Sequence, residues 1–207
     1  SDTIVASTDP NFTVYETDNV LGANARIELY KPGQANTELQ LTYVSFGQWQ
    51  RAPEGTPLGD GDRVFFTYGL RTPEGALSAR TGSAHYEGVA YGMALNIDTQ
   101  ARYDVNGTSR FDVDFSKQTL SGDLALAGKS AGGATPVDGT YQFGGSIGHM
   151  NRVTPILFKD GTDVGTLQAG FYGPNGEEIA GSFAFAVRDK VTDELTTVTG
   201  ATVARQK

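Results

Sequence analysis

Two runs of strict alternation meet at a turn in the C-terminal part of the chain. Leu167, Ala169 and Phe171 alternate with Gln168, Gly170 and Tyr172. After Gly173, Pro174, Asn175 and Gly176 the pattern resumes, with Ile179, Gly181, Phe183 and Phe185 on one face and Glu178, Ala180, Ser182 and Ala184 on the other. A period of two on both arms of a Gly/Pro/Asn turn predicts an antiparallel hairpin with Phe183 in the core. The same period recurs upstream. Tyr86, Gly88 and Ala90 oppose His85, Glu87, Val89 and Tyr91; Phe111, Val113 and Phe115 oppose Asp112, Asp114 and Ser116. Leu120, Gly122, Leu124 and Leu126 form another row, and Tyr141, Phe143, Gly145 and Ile147 a further one. Short strands are predicted at 155–158 and 196–204. The segment 92–101 reads as irregular, and the strand over 103–115 as interrupted at Asn106-Gly107. About eight strands follow residue 80, the number at which a closed barrel is just filled by its own side chains.

Before residue 80 the pattern is looser. Residues 1–10 are polar and read as a lead-in. Strands are predicted at 12–15, 26–30, 39–49 and 64–70, separated by turn-rich loops at 51–62 and 72–80. In the third of these, Leu39, Leu41, Tyr43 and Ser45 alternate with Gln40, Thr42, Val44 and Phe46. No segment carries a helical period and no repeat recurs. Glycine, 27 of 207 residues, is unusually abundant and suits short strands joined by tight turns.

Charge and residue chemistry narrow the function. The formal net charge of −8 is the opposite of a nucleic-acid footprint, so no nucleic-acid partner is expected. There is no cysteine, hence no disulfide framework, thiol chemistry or lipid-acceptor Cys within the sequence. No apolar run is long enough for a membrane helix. The opening Ser1-Asp2-Thr3 carries no signal-peptide pattern and reads as a mature or trimmed start. The G-x-S-x-G string at Gly144 to Gly148 is not followed by a helical period and so makes no nucleophile elbow, H-E-x-x-H is absent, and the expectation is a protein that is not an enzyme.

Four segments in order resemble one family. F-Y-G-P-N-G-E-E-I-A-G-S-F (171–183) resembles the final hairpin of the barrels of transferrin-binding protein B, to which factor H-binding protein and the haemophilins carry related barrels. G-S-A-H-Y-E-G-V-A-Y-G (82–92) is similar to the first barrel strand, R-F-D-V-D-F-S-K-Q-T-L-S-G-D-L (110–124) to the second and third, and T-G-A-T-V-A-R-Q-K (199–207) to the last. The resemblance covers residues 80–207. With it, the expected fold is all-β: a small N-terminal β-rich, handle-like domain over 1–79, then an eight-stranded antiparallel β-barrel over 80–207. The resemblance implies a bacterial outer-membrane surface or secreted binding protein, monomeric, with a possible lipid anchor upstream. Such a protein would capture an extracellular protein or haem in iron acquisition. A soluble haemophilin-like haem carrier and a structural envelope module without a ligand are the alternatives.

Candidate site residues follow. No cofactor is required, but haem is possible: His149 could ligate its iron, Met150 could supply a second axial ligand and Arg152 could pair with a propionate. The competing reading is a plain surface loop. His85 is expected on the outer face of its strand. Trp49 and Phe46, among the aromatic residues of the first domain, are the candidate partner-binding residues, with Trp49 packed between the domains as the alternative. Gly59-Asp60-Gly61-Asp62 resembles a fragment of a calcium loop, but turn chemistry explains it better. Asp112, Asp114 and Asp123 are expected as solvated outer-face charges, and no metal is expected.

Overall fold

A computed structural model describes residues 3–17, 23–54, 58, 62–129 and 135–207. The Gly59–Gly61 part of the calcium-loop fragment lies outside them. Two antiparallel sheets account for the described chain. The first has five strands in sequential order, β1 (Thr3–Val5), β2 (Phe12–Thr17), β3 (Ala23–Tyr30), β4 (Val44–Pro53) and β5 (Asp62–Gly69). The second comprises β6 (Ser83–Asn96), β7 (Arg102–Asp114), β8 (Thr119–Lys129), β9 (Gly139–Ser146), β10 (Arg152–Val153), β11 (Ile156–Lys159), β12 (Thr162–Tyr172), β13 (Glu178–Arg188) and β14 (Leu195–Gln206). Strands β11, β9, β8, β7, β6, β14 and β13 pair in that order, and β12 joins β11 to β13. The sheet thereby closes into an eight-stranded antiparallel barrel, with the two-residue β10 beside β12. Helical structure among the described residues is confined to 3-10 turns, including Gly33–Ala35 and His149–Asn151.

Inward-facing residues of every long barrel strand make one core, with Tyr86, Phe111, Phe115, Leu124, Tyr141, Phe171 and Phe183 among the buried side chains. Glycines let this narrow barrel bend. At Gly88 a Cβ would land inside van der Waals contact of the Val203 carbonyl and the Ala204 Cα, so the close strand approach there requires the residue without one. The segment 71–80 then crosses one mouth. Leu77 inserts into the barrel core, the Arg80 guanidinium lies 3.9 Å from the Phe115 ring centre, and Asn151 Nδ2 donates to the Thr72 and Pro73 carbonyls. Near the opposite mouth Lys159 Nζ donates to the carbonyls of Pro136 (2.7 Å) and Asp138 (2.9 Å), and burial pushes its amine below the usual lysine range.

Several elements depart from the pattern-based expectation. Residues 3–5 pair with β2 rather than forming a free lead-in. Strand β6 continues to Asn96, because each residue from 86 to 96 finds a partner on β14, and β7 passes through Asn106-Gly107 unbroken. The alternation over 39–43 is not a strand: Leu39 and Leu41 are buried, but the chain is irregular until Val44. The reason lies far away in sequence. The carboxylate of Glu178 accepts the backbone N–H groups of Thr42 (2.6 Å), Tyr43 (2.8 Å) and Val44 (2.9 Å), which offers those donors an alternative to a β ladder.

Candidate functional site

One face of the five-stranded sheet packs on the outside of the barrel. Phe12, Tyr30, Phe46 and Val44 meet Val89, Ala180, Ala201 and Val203 in a second buried cluster. Tyr30 and Phe46 stack at 4.8 Å between ring centres. Across this seam Glu38 accepts from the hydroxyls of Tyr30 (3.0 Å) and Tyr91 (2.6 Å). Burial, and then the Glu38 carboxylate, hold both phenols above the usual tyrosine range.

The opposite face of the sheet is not covered by the barrel. Cross-strand register aligns Ile4 with Tyr15, Tyr15 with Ile27, Ile27 with Trp49 and Trp49 with Val64. An apolar and aromatic row therefore runs across all five strands. Ile4 is 70% exposed, Trp49 38% and Val64 52%. Beside it, Leu29 and Phe66 close over Gly47, where a Cβ would clash with both side chains, and the Phe66 and Tyr68 rings lie 6.1 Å apart. Solvated sheet faces ordinarily carry polar residues, and a contiguous apolar surface of this kind marks an interaction site. This row is the candidate site.

The structure separates the sequence-based candidates. Trp49 is in the exposed row, and it does not pack between the two sheets. Phe46 is fully buried on the opposite face, so it cannot touch a partner: residues three apart in a strand point to opposite sides. His149, Met150 and Arg152 share one exposed turn, in which Met150 and Asn151 take positive φ values of 59° and 55°. His149 Nε2 lies 2.8 Å from Glu74 Oε1, and Met150 is half exposed. Consecutive residues of one exposed turn do not reach the two opposite faces of a macrocycle, so these residues do not fit an axial His/Met pair. His85 is on the outer face as expected, with Nδ1 2.7 Å from Asp112 and Nε2 3.4 Å from Glu87. Asp112 and Asp123 pair with Arg110, and Asp114 with Lys117. Among the described residues no group of three or more His, Asp or Glu side chains could hold a metal ion. Nor is any described helix long and apolar enough to cross a membrane. The pattern reading overlooked Ile4 and Ile27, which join the row of Trp49 only through register, and Glu178, whose partners lie at 42–44.

This arrangement defines a class: a small filled barrel carrying a β-sheet whose free face is apolar. The family profile for the C-lobe and N-lobe beta barrels of Tf-binding protein B matches residues 79–206, and the chain belongs to that family. It is similar to transferrin-binding protein B of Haemophilus influenzae, with 26% identity over 162 residues, covering 70% of this chain and 26% of the relative. It is likewise similar to transferrin-binding protein B of Neisseria meningitidis serogroup B, with 28% identity over 159 residues, covering 70% of this chain and 25% of the relative. The chain thus spans about a quarter of the length of these relatives. Among solved structures, a double mutant of transferrin-binding protein B from Haemophilus parasuis Hp5 superposes with a TM-score of 0.62 at 17% identity. That match covers 99% of this chain and 38% of the other, so the likeness of fold extends over the five-stranded sheet as well as the barrel.

Proposed function

We propose that this chain is a non-enzymatic binding protein, displayed on or released from the bacterial surface, that captures a host iron-carrier protein of the transferrin class. The observation that carries the reading is the exposed row Ile4–Tyr15–Ile27–Trp49–Val64 on the free face of the five-stranded sheet. A rigid sheet presenting a tryptophan among aliphatic neighbours supplies the central anchor that protein interfaces use, and truncating such an anchor ordinarily costs about 2 kcal/mol or more. The family membership supports the choice of partner, because the relatives are named for transferrin binding. The filled barrel then acts as a mount, with its interior occupied by its own side chains.

The test is biolayer interferometry against immobilised iron-loaded transferrin. Wild type should bind, Trp49→Ala should weaken binding at least tenfold, and Lys117→Ala on the barrel should leave it unchanged. Equal affinity of Trp49→Ala and wild type would remove the row from the interface. Absence of wild-type binding to transferrins from a panel of mammals would refute the partner class.

A further inference from the structure

The two edges of the five-stranded sheet differ. Strand β1, at one edge, has three residues. Strand β5, at the other, has eight, paired one-to-one with β4 from Asp62 to Gly69 without a bulge. Among the described strands none pairs with its other side. The Leu70 N–H donates to the Tyr43 carbonyl (2.8 Å). In an antiparallel ladder this sets the even-numbered residues of β5 against β4 and turns the N–H and C=O groups of Arg63, Phe65 and Thr67 to the free side. Exposed edges are ordinarily blunted by lysine, proline, bulges or short length. Here the run from Val64 to Tyr68 is V-F-F-T-Y, with neither charge nor proline, and the charge of Arg63 is paired with Asp104 of β7. Beneath this edge the barrel continues past the sheet. A groove of about 290 Å³ lies between them, lined by Phe65, Thr166, Gln168, Ser182, Ala184 and Thr199 among others. The last five are exposed on the outer face of β12 to β14, and none is charged. The outer face of β6 to β8 instead carries Glu87, Arg110, Asp112 and Asp123. A charge beneath a cover would lose its water, so an uncharged shelf beside an unpaired edge is what an added strand requires.

We propose that β5 takes up an extended segment of the captured protein as a sixth strand of this sheet. The proposal rests on the reading of the chain as a protein-capturing module and assigns the manner of capture. The backbone of the segment bonds the free N–H and C=O groups of Arg63, Phe65 and Thr67, and its side chains give specificity by alternation. Those facing the barrel lie on the shelf and are small and uncharged, of the alanine, serine or threonine kind. Those on the other side are apolar and extend the row that ends at Val64, itself 52% exposed. About five residues suffice, since the free groups run from Arg63 to Thr67. A second copy of this chain does not fit. Two antiparallel edges meet about a two-fold axis perpendicular to the sheet, so the second barrel would lie on the same side and fall where this shelf stands.

Two measurements on the intact chain test this. One is ¹H–¹⁵N NMR during titration with a synthetic peptide, Lys-Val-Ser-Val-Ala-Val-Thr-Lys, blocked at both ends. The other is residue-level hydrogen–deuterium exchange with and without iron-loaded transferrin. The peptide at millimolar concentration should shift the amides of Arg63, Phe65, Thr67, Ser182 and Ala184, and its fully N-methylated analogue should not. In the transferrin complex the amides of Arg63, Phe65 and Thr67 should exchange roughly tenfold more slowly or less, as newly bonded amides do. Thr67→Pro removes one free-side donor and no bond to β4, and should weaken peptide binding about tenfold, the worth of one such bond. Ala184→Glu, which sets a charge on the shelf, should weaken it likewise. Absence of peptide shifts at Arg63, Phe65 and Thr67 overturns the proposal, as does transferrin binding that leaves those three amides unprotected. A concentration-dependent dimer in sedimentation that Thr67→Pro abolishes would assign the edge to a second copy and also overturn it. Peptide shifts at the edge without transferrin binding by wild type would refute the transferrin reading and leave strand addition standing. The exchange and shift maps are read on wild type, so they decide the matter even if Thr67→Pro fails to fold.

Discussion

Replacing Glu178 by alanine should detach the five-stranded sheet from the barrel without disturbing the barrel ladder. Glu178 opens β13 and is buried where the irregular 39–43 segment crosses the barrel. Its carboxylate accepts three backbone N–H groups at 2.6 to 2.9 Å. Hydrogen bonds to a charged group each contribute about 1.5 to 3 kcal/mol, but three bonds to one carboxylate are not additive. Water can reach Thr42 and Tyr43 once the side chain is gone, whereas Val44 N–H is buried. A loss of about 3 to 5 kcal/mol follows, the worth of about two such bonds. Gln at 178 keeps one acceptor oxygen but turns an amide donor toward the N–H groups, so its loss should be intermediate. Trp49 is the single tryptophan and lies on β4, so its fluorescence reports the sheet while far-UV circular dichroism reports both sheets. With a urea m-value of about 2 to 3 kcal/mol/M, the Trp49 transition of Glu178→Ala should move down by about 1 to 2.5 M. A shift below about 0.3 M would show that the three bonds do not anchor the sheet.

Two further outcomes are expected. Phe183 is buried in the barrel core and stacks on Phe185 at 6.0 Å; Phe183→Ala should lower stability by about 3 to 5 kcal/mol in urea unfolding, and a loss under about 1 kcal/mol would mean that the strand faces are misassigned. His85 is held above the usual histidine range, first by its hydrogen bond to Asp112, with Glu87 also contributing, while Arg110 on Asp112 and Lys207 on Glu87 complete the cluster. A raised folded-state value means that the contribution is full below the unfolded value of about 6.5 and is lost as pH rises through the folded value. Because the site is exposed, the effect is small, at most about 1 kcal/mol. His85→Gln should flatten the difference in urea midpoint between pH 5.5 and pH 8.5, and an unchanged difference would place the titration elsewhere.

What the sequence determined by itself is the part governed by period. Alternation at Leu167–Phe171, Ile179–Phe185, Phe111–Phe115 and Tyr141–Phe143 assigns both strand type and buried face, because side chains in a strand repeat every two residues whatever lies beyond. The all-β class followed from those rows, while the closed barrel was what the family resemblance implied. The period also separates Phe46 from Trp49, which stand an odd number of residues apart. Tertiary structure decided everything that depends on which strand lies beside which. Gly200 to Ala204 are buried on both faces because the five-stranded sheet covers the barrel there, and the run A-T-V-A is consistent with two-sided burial without naming the cover. Leu39 to Tyr43 alternate like a strand yet are irregular, since Asn36 takes the Leu39 donor and Glu178, more than a hundred residues away, takes those of Thr42 and Tyr43. Ile4, Tyr15, Ile27, Trp49 and Val64 are scattered singly in sequence. Pairing register, a property of hydrogen bonds between strands, turns them into one surface. The Arg63–Asp104 ion pair has no local signature either, because its two residues meet only when the sheet is laid against the barrel.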